Sequence, residues 1–415
     1  PKRLQRLLRL SGNAIGLLTH FWEGWMHFDE QIDRRGSNCD KWDNMEAKYG
    51  VSPEDGLAMW VADGDFRPPA CVQQAVQDMA AHGIYGYYGA LDHYHKAICW
   101  WMETRHNWRV DPDWIFTTHG LGNGIAMCVE SFTEATDGVV LFSPVYHSFY
   151  RIIKASGRAI TECPLVNNQG RYEFDFEAYD SLLTGAEKML VLCSPQNPGG
   201  RIWSKAELQG IADFAKRHDL IVVSDEIHHD LIYPGKKHIA MPLVDASIRD
   251  RLVMMTATTK SFNIAGCHTG NVIIEDRNLR ARFGAKMRAL ALSPNSFGIV
   301  MATAAYSPDG ALWIDGLMRY LNENRAMFET GLNAIPGAKA MQLEATYLSW
   351  IDFTDTGMTP QEISTRVEKG AKIAANHGAT FGTGGDYFLR FNLALPKQQI
   401  EEAVGRLQTA FGDLQ

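Results

Sequence analysis

Short runs of consecutive apolar residues, each followed by a segment with helical spacing, restrict the fold of this chain more than any other feature. The segment 204–219 begins with Ser204 and carries Glu207 three residues later, which predicts a helix that starts with a capping box. Continuous apolar strands that alternate with helices indicate a parallel sheet that is buried on both faces. The predicted strands lie within 113–120, 138–144, 187–200, 220–227 and 251–259.

A different pattern begins near residue 315. A long helical segment is followed there by short strands, such as the one within 344–353, and by further helices. The chain has 415 residues, which is more than a single hydrophobic core usually holds. We therefore expect two domains, a large α/β domain and a smaller α+β domain.

Composition and charge narrow the possible partners. The chain is 46% hydrophobic and 21% charged, as globular proteins are, and its net charge of −8 gives no reason to expect nucleic acid. No apolar stretch is long enough to span a bilayer, so we expect no membrane partner. The cysteines form no CxxC pair, which favours a reduced, cytoplasmic protein over a disulfide framework or a metal site. The seven cysteines are Cys39, Cys71, Cys99, Cys128, Cys163, Cys193 and Cys267.

The first 25 residues differ from the rest of the chain. They are basic, with no acidic residue before Glu23. This pattern fits an amphipathic targeting segment, or extra sequence in front of a natural start at Met26. We expect residues 1–25 to contribute little to the fold.

Residues that suit cofactor chemistry follow several of the predicted strands. Residues 119–124 form a glycine-rich turn before a helix, Asn197 lies between two prolines, and Asp225 and Lys260 each follow an apolar run. Each feature alone has a simpler explanation, such as a turn, a satisfied polar group or a solvated lysine. A magnesium ion is another possible ligand for Asp225, but no phosphate-loop lysine motif accompanies it.

Taken together, these strand ends match the needs of pyridoxal 5′-phosphate (PLP). The phosphate of PLP is bound by backbone N–H groups at a helix start. Its pyridine nitrogen stays protonated beside a carboxylate, its phenolic oxygen accepts from a neutral donor, and its aldehyde reacts with a lysine amine. The sequence therefore predicts a PLP site at the carboxyl edge of the sheet, where open α/β sheets bind their ligands.

The whole chain from Met26 also resembles a known family. It is similar to the PLP enzymes of the aspartate-aminotransferase fold (fold type I), and within them to the C–S β-lyases of the MalY/PatB type. The resemblance implies a mostly parallel seven-stranded sheet between helices in a large domain over 71–310. It also implies a smaller α+β domain over 311–415, to which an N-terminal arm over 26–70 contributes. The stretches that carry it are 28–43, 59–69, 82–89, 143–150, 192–203, 224–233, 259–266, 344–353 and 388–396.

The resemblance implies catalytic roles for three residues. Lys260 would bind the cofactor aldehyde and move the Cα proton, Asp225 would pair with the pyridine nitrogen, and Tyr146 would stack on the ring. Asn197 and His228 would donate to the phenolic oxygen.

Further cofactor contacts are implied around the phosphate. Leu121 and Gly122 would offer their amides, and Tyr87 would reach the phosphate of a neighbouring subunit, which requires a homodimer. Thr259 and His268 are the remaining candidates. His268 stands where many aminotransferases have an arginine, and a histidine is only partly charged near neutral pH.

The resemblance also places the substrate. Arg390 would bind the α-carboxylate of an amino acid, and the backbone at Ala62 would contact the same group. Tyr85, Tyr88 and Tyr347 are candidates for contacts with the substrate side chain, by their position in the motifs. Gly64 occupies a position where the family usually has a larger residue, which predicts either a more mobile loop or a wider pocket.

The activity implied is the cleavage of L-cystathionine, or a related S-conjugate of L-cysteine, to pyruvate, ammonia and a thiol. An aminotransferase on the same scaffold is the main alternative, because it would use the same residues up to the loss of the Cα proton. A non-catalytic regulatory protein is disfavoured, because Lys260 and Asp225 are both present. Some 25 preceding residues are also too few for a DNA-binding module.

Overall fold

The computed structural model describes residues 27–414. Our expectation for residues 1–25 therefore lies outside the described residues. Between 27 and 414, none of the helices combines the length and the apolar character that a membrane span needs.

Helices and strands alternate through most of the described chain. The α-helices are α1 Asp40–Asp43, α2 Met45–Tyr49, α3 Ala70–His82, α4 Asp92–His106, α5 Leu121–Phe132, α6 His147–Ala155, α7 Phe176–Asp180, α8 Lys205–Arg217, α9 Thr258–Ser261, α10 Arg277–Ala289, α11 Ser296–Ala305, α12 Pro308–Asn333, α13 Pro360–Thr365 and α14 Lys397–Ala410. The strands are β1 Leu57–Ala58, β2 Ile115–Thr118, β3 Gly138–Leu141, β4 Ala159–Glu162, β5 Val166–Asn168, β6 Arg171–Glu173, β7 Glu187–Cys193, β8 Ile221–Asp225, β9 Leu252–Thr256, β10 Gly270–Ile273, β11 Lys339–Ala340, β12 Leu348–Asp352, β13 Ile373–Ala374, β14 Asn376–His377 and β15 Phe388–Asn392.

A seven-stranded sheet forms the centre of the molecule. Its strand order is β2-β10-β9-β8-β7-β3-β4, and β10 runs antiparallel to both of its neighbours while the other pairs are parallel. The prediction of a mostly parallel seven-stranded sheet is therefore confirmed. Cys193 pairs with Asp225, which pairs with Met255, so β7, β8 and β9 end at the same level.

Helices cover both faces of this sheet. Val139 and Val191 pack with Ile125 of α5 on one face, while Val140 and Leu190 belong to the core on the opposite face, with the apolar side of α8. Burial on both faces explains why the strands read as continuous apolar runs. The predicted capping box is present, with Ser204 and Glu207 bonded reciprocally at the start of α8.

A smaller α+β unit is built on the C-terminal part of the chain. Its four-stranded antiparallel sheet has the order β11-β12-β15-β14 and packs with α12 and α14 in one core. The segment before α3 joins this unit, because Leu57 and Ala58 of β1 pair with Ile373 and Ala374 of β13. Residue 310, the predicted boundary, lies inside α12, and the exact division of the chain into domains stays a prediction.

Candidate active site

A cavity of about 160 Å³ lies at the carboxyl ends of the central strands. The loop after β1, the start of α5, the loop before α6, the ends of β7 and β8, and α9 all contribute to its wall. The structure thus brings most of the predicted site residues together. Those that line the cavity are Ala62, Leu121, Gly122, Tyr146, Asn197, Asp225, His228 and Lys260.

Lys260 reaches the cavity from a short helix. The strand predicted within 251–259 ends at Thr256, and the chain then turns into α9, which carries Lys260. The Nζ of Lys260 donates a hydrogen bond of 2.6 Å to the carbonyl oxygen of Ala62. Burial lowers the pKa of Lys260, which increases the share of neutral, nucleophilic amine near neutral pH.

Asp225 ends β8 as a buried carboxylate. Its Oδ1 accepts a hydrogen bond of 3.1 Å from the backbone N–H of Ile227. Among residues 27–414, no lysine, arginine or histidine forms an ion pair with it. Burial therefore raises the pKa of Asp225 to about 7. A cationic group placed beside this carboxylate would lower its pKa again and keep it ionised.

Arg390 approaches the cavity from β15 in the smaller unit. Its guanidinium donates to Asn197 Oδ1 at 2.9 Å and to the carbonyl oxygen of Trp60 at 2.9 Å, and it also donates to Asn376 Oδ1. The Phe381 ring lies 4.9 Å from the guanidinium carbon. These partners fix the orientation of Arg390, but all of its hydrogen-bond acceptors are neutral.

The charge of Arg390 is thus available to a ligand. Burial lowers the pKa of Arg390 to about 10, so the side chain is still a cation at neutral pH. Its Nε has no hydrogen-bond partner among the described residues. Because Asn197 uses its Oδ1 to hold Arg390, its Nδ2 is the part of the amide that can donate to a bound molecule.

His228 is a neutral donor. Burial lowers its pKa to about 3, so the ring carries no charge at neutral pH. Its Nδ1 is buried without a hydrogen-bond partner in the part of the chain that the structure describes. The ring of Tyr347 meets it edge-on, with centroids 6.2 Å apart, so Tyr347 supports His228 and does not itself line the cavity.

The start of α5 supplies an anion site. Gly120 has φ +82°, a left-handed conformation that lets the chain turn directly from β2 into the helix. Leu121 and Gly122 follow as the first helical residues, and both line the cavity. First-turn N–H groups have no acceptor within their own helix and favour negative charge.

Besides Arg390 and Tyr347, five predicted residues lie outside this cavity wall, namely Thr259, His268, Tyr85, Tyr87 and Tyr88. Thr259 is buried beside Lys260. His268 is exposed and has φ +46°. Tyr85 is exposed and lies near Phe297, with ring centroids 5.6 Å apart, and Tyr87 is fully exposed. Within a single chain, these two tyrosines and His268 do not reach the cavity.

The backbone around Gly64 is firmly held. Its N–H donates to Asn263 Oδ1 at 2.8 Å, and its carbonyl oxygen accepts from Arg34 at 3.0 Å and from Asn263 Nδ2 at 2.8 Å. A β-carbon added at this position would point at Ala394, 3.4 Å away, and Gly64 does not line the cavity. The effect of this glycine on the width of the substrate pocket stays a prediction.

Sequence reasoning missed several supporting residues. Asn376 and the Trp60 carbonyl fix Arg390, and Asn392 donates to the carbonyl oxygens of Val61 and Asp63 at 2.6 and 2.8 Å. The position of Asn392, two residues after Arg390 on one face of β15, is the signal that identifies it. Nothing in the sequence identifies Asn376. Arg151 of α6, which also lines the cavity, was missed as well.

The residues present fit PLP. Within residues 27–414, the cavity combines a half-buried amine, a buried carboxylate without a counterion, a neutral imidazole with a free nitrogen and a helix start. A pyridinium ring would satisfy Asp225, and a phosphate would satisfy the first amides of α5. Lys260 would hold the cofactor covalently.

Comparisons with known proteins identify similar sequences and a similar fold. The sequence matches the family described as aminotransferase class I and II over residues 60–407. It is 36% identical to cystathionine beta-lyase PatB of Bacillus subtilis, over 93% of this chain and 100% of that protein. It is 29% identical to protein MalY of Escherichia coli, over 92% of this chain and 98% of that protein. The structure resembles cystalysin of Treponema denticola, which contains PLP, with a TM-score of 0.89, 35% identity and coverage of 94% and 100%.

Proposed function

The chain belongs to the aminotransferase class I and II family, and we propose that it is a PLP-dependent C–S β-lyase. Its substrate is L-cystathionine or a related S-conjugate of L-cysteine. The observation that carries the proposal is the convergence of Lys260, the buried carboxylate of Asp225 and the start of α5 on one cavity, with Arg390 bonded to Asn197 of the cavity wall. The likeness to cystathionine beta-lyase PatB supports the choice of reaction.

PLP, when bound, supplies an electron sink for the negative charge that develops at the substrate Cα. Lys260, Asp225, Asn197 and His228 would hold its aldehyde, ring nitrogen and phenolic oxygen, and the first amides of α5 would hold its phosphate. Because Asp225 is buried and forms no ion pair within residues 27–414, its carboxylate would hold a proton on the ring nitrogen strongly.

Two residues of the chain act directly on the substrate. Arg390 binds the α-carboxylate through its remaining N–H groups and so fixes the direction of the Cα–H bond. Lys260 Nζ, whose pKa burial lowers, accepts the Cα proton. A thiolate leaves from Cβ, and water completes the reaction, so that L-cystathionine yields pyruvate, ammonia and homocysteine.

An aminotransferase reaction is the second candidate, and one observation favours it. Arg151 lines the cavity, and it is a cation that could bind the distal carboxylate of a dicarboxylic amino acid. Arg151 is exposed, however, and lies beside Ile152, whose Cδ1 is 3.6 Å from the position of a β-carbon at Gly122. This location near the anion site at the start of α5 fits a phosphate contact better than a substrate contact.

We also propose that the enzyme is a homodimer that works in the cytoplasm. Apolar side chains are exposed along one short stretch, with Ile84 72%, Tyr85 57% and Tyr88 36% exposed, and a subunit interface would cover them. Tyr87 lies in the same stretch and would reach the cofactor phosphate of the partner subunit. The seven free cysteines support a reducing compartment.

The test is pyruvate release from L-cystathionine by the purified holoenzyme, with no keto acid added. We expect sustained release of pyruvate with equal amounts of ammonia and thiol. The Lys260→Ala variant should release none, while Lys205→Ala, a change at an exposed lysine at the start of α8, should behave as wild type.

A different result would identify the second candidate. If no pyruvate appears, and the cofactor instead changes to an amine form that a keto acid reverses, the enzyme is an aminotransferase. In that case the Arg151→Ala variant should lose its activity with dicarboxylic amino acids selectively.

A further inference from the structure

A second cavity, of about 570 Å³, is larger than the active-site cavity. His106 of α4 lies in its wall, together with His229 and Asp230 from the loop after β8. The neighbouring residue His228 lines the active-site cavity instead. Consecutive residues of one loop therefore serve two different cavities.

The three side chains in this wall form a compact group of nitrogen and oxygen atoms. His106 Nε2 lies 2.8 Å from Asp230 Oδ1, and His229 Nε2 lies 3.2 Å from Asp230 Oδ2. One ligand atom from each side chain lies within 4.8 Å of the other two. The two imidazole rings face each other, with centroids 4.1 Å apart.

His229 is the unusual member of this group. Its ring is buried, yet within residues 27–414 neither of its nitrogens has a hydrogen-bond partner. Its contact with Asp230 has an ion-pair distance but not the geometry of a hydrogen bond. A buried imidazole that makes no hydrogen bond is costly. A metal ion shared with the Asp230 carboxylate, its ion-pair partner, would satisfy it.

We propose that His106, His229 and Asp230 bind one divalent transition-metal ion of the Zn²⁺ type. Two imidazole nitrogens and one carboxylate oxygen are a ligand set that Zn²⁺ accepts, with a further position open to the cavity. The cavity is also the path by which the ion enters. On binding, the ion takes the place of the hydrogen between His106 Nε2 and Asp230. That proton moves to Nδ1 of His106, so the His106 ring stays neutral.

The surroundings of Asp230 suit a metal ligand. Trp101 Nε1 donates to its Oδ1 at 2.9 Å, and Ser261 Oγ donates to its Oδ2 at 2.8 Å. Such outer partners orient a ligating carboxylate. Ser261 directly follows Lys260, so the proposed site is linked to the helix that carries the catalytic lysine.

Two of the four lysine and arginine side chains in the cavity wall have acidic partners, and the other two, Lys237 and Arg319, are exposed. Arg105 forms two hydrogen bonds with Asp315, at 2.6 and 3.2 Å. Lys236 pairs with Glu344 at 3.1 Å. Their charges are thus compensated, and a divalent ion at Asp230 does not face an unpaired cation of either side chain.

The test is a titration of the chelator-treated holoenzyme with Co²⁺, whose visible absorption reports its coordination, followed by displacement with Zn²⁺. We expect one equivalent of Co²⁺ per chain with the spectrum of a low-coordinate site. His229→Gln and His106→Gln should each weaken binding about 100-fold or more, since loss of even an outer partner costs roughly 10- to 100-fold. Two variants are used because, if one of them fails to fold, the Co²⁺ affinity of the other still tests the proposal.

His238→Gln is the matched control. His238 lines the same cavity, but its Nε2 already bonds to Glu226 at 2.6 Å. This variant should bind Co²⁺ as the wild type does. Absence of saturable binding in the wild type overturns the proposal, and so does binding that both His229→Gln and His106→Gln leave unchanged. A loss of binding in His238→Gln equal to theirs would also overturn it.

Discussion

At the scale of single residues, Asp225 has the most direct consequence for pH dependence. Burial raises its pKa to about 7 in the folded chain, from 3.8 in the unfolded one. Between these values the folded state binds more protons, so the stability of the cofactor-free protein falls as pH rises through this window. Above pH 7 the full cost of the buried charge is present.

Asp225→Asn should therefore stabilise the cofactor-free protein at pH 8, by a few degrees in the midpoint of thermal unfolding. At pH 4 the wild-type carboxyl is protonated in the folded state, and the two midpoints should be similar. Asp386→Asn, a change at an exposed carboxylate, should have no such effect at either pH. Equal midpoints for Asp225→Asn and wild type at pH 8 would show that the charge of Asp225 is compensated.

The candidate site could be predicted from the sequence where chemistry and strand ends coincide. Asp225 and Lys260 follow apolar runs, and parallel strands bring their carboxyl ends to one edge. The partners of Arg390 could not be predicted, because Trp60 is 330 positions away from it and Asn376 belongs to a two-residue strand. Such contacts depend on how the two units pack against each other. The local sequence pattern does not specify that packing.

At the scale of elements, the segments with a clear apolar or helical pattern were predicted, and those that depend on non-local pairing were not. The helix predicted within 204–219 and the strands within 187–200 and 220–227 are present with slightly different ends. Strand β10 was missed, because it is specified by pairing with β2, more than 150 residues earlier. The antiparallel direction of β10 follows from that non-local pairing.

The turn after β7 allows a matched test of backbone geometry. Gly200 and Gly185 both have positive φ, of +66° and +89°. A β-carbon at Gly200 would overlap Leu343 and lie 3.1 Å from the Ala345 carbonyl oxygen, whereas at Gly185 it would meet nothing within 4 Å.

Both Gly→Ala variants should be less stable than wild type, and they should differ in degree. Gly185→Ala should cost about 1 to 2 kcal/mol for its left-handed backbone alone. Gly200→Ala should cost roughly 2 to 5 kcal/mol, because overpacking adds to the same strain. It should also weaken PLP binding, since Asn197 lies in the same turn. Equal losses in thermal midpoint would mean that the contact with Leu343 relaxes freely.

At the scale of the whole molecule, the site depends on contacts between the two units. Arg390 of the smaller unit donates to Asn197 of the larger one and to Trp60 in the segment before α3. The same segment pairs with β13 through Leu57. A shift of one unit against the other would therefore move the carboxylate-binding guanidinium relative to Lys260.

The proposed homodimer makes the site depend on a second chain as well. The exposed stretch 83–89 carries Tyr87, which cannot reach the cavity of its own chain as described. We expect the holoenzyme to have twice the chain mass by light scattering. Tyr87→Phe should keep that mass and raise the Kd for PLP about 10- to 100-fold, the range expected for one lost hydrogen bond to a charged group. Tyr387→Phe, at another exposed tyrosine, should leave the Kd unchanged. A single-chain mass, or equal Kd values for the two variants, would contradict a shared active site.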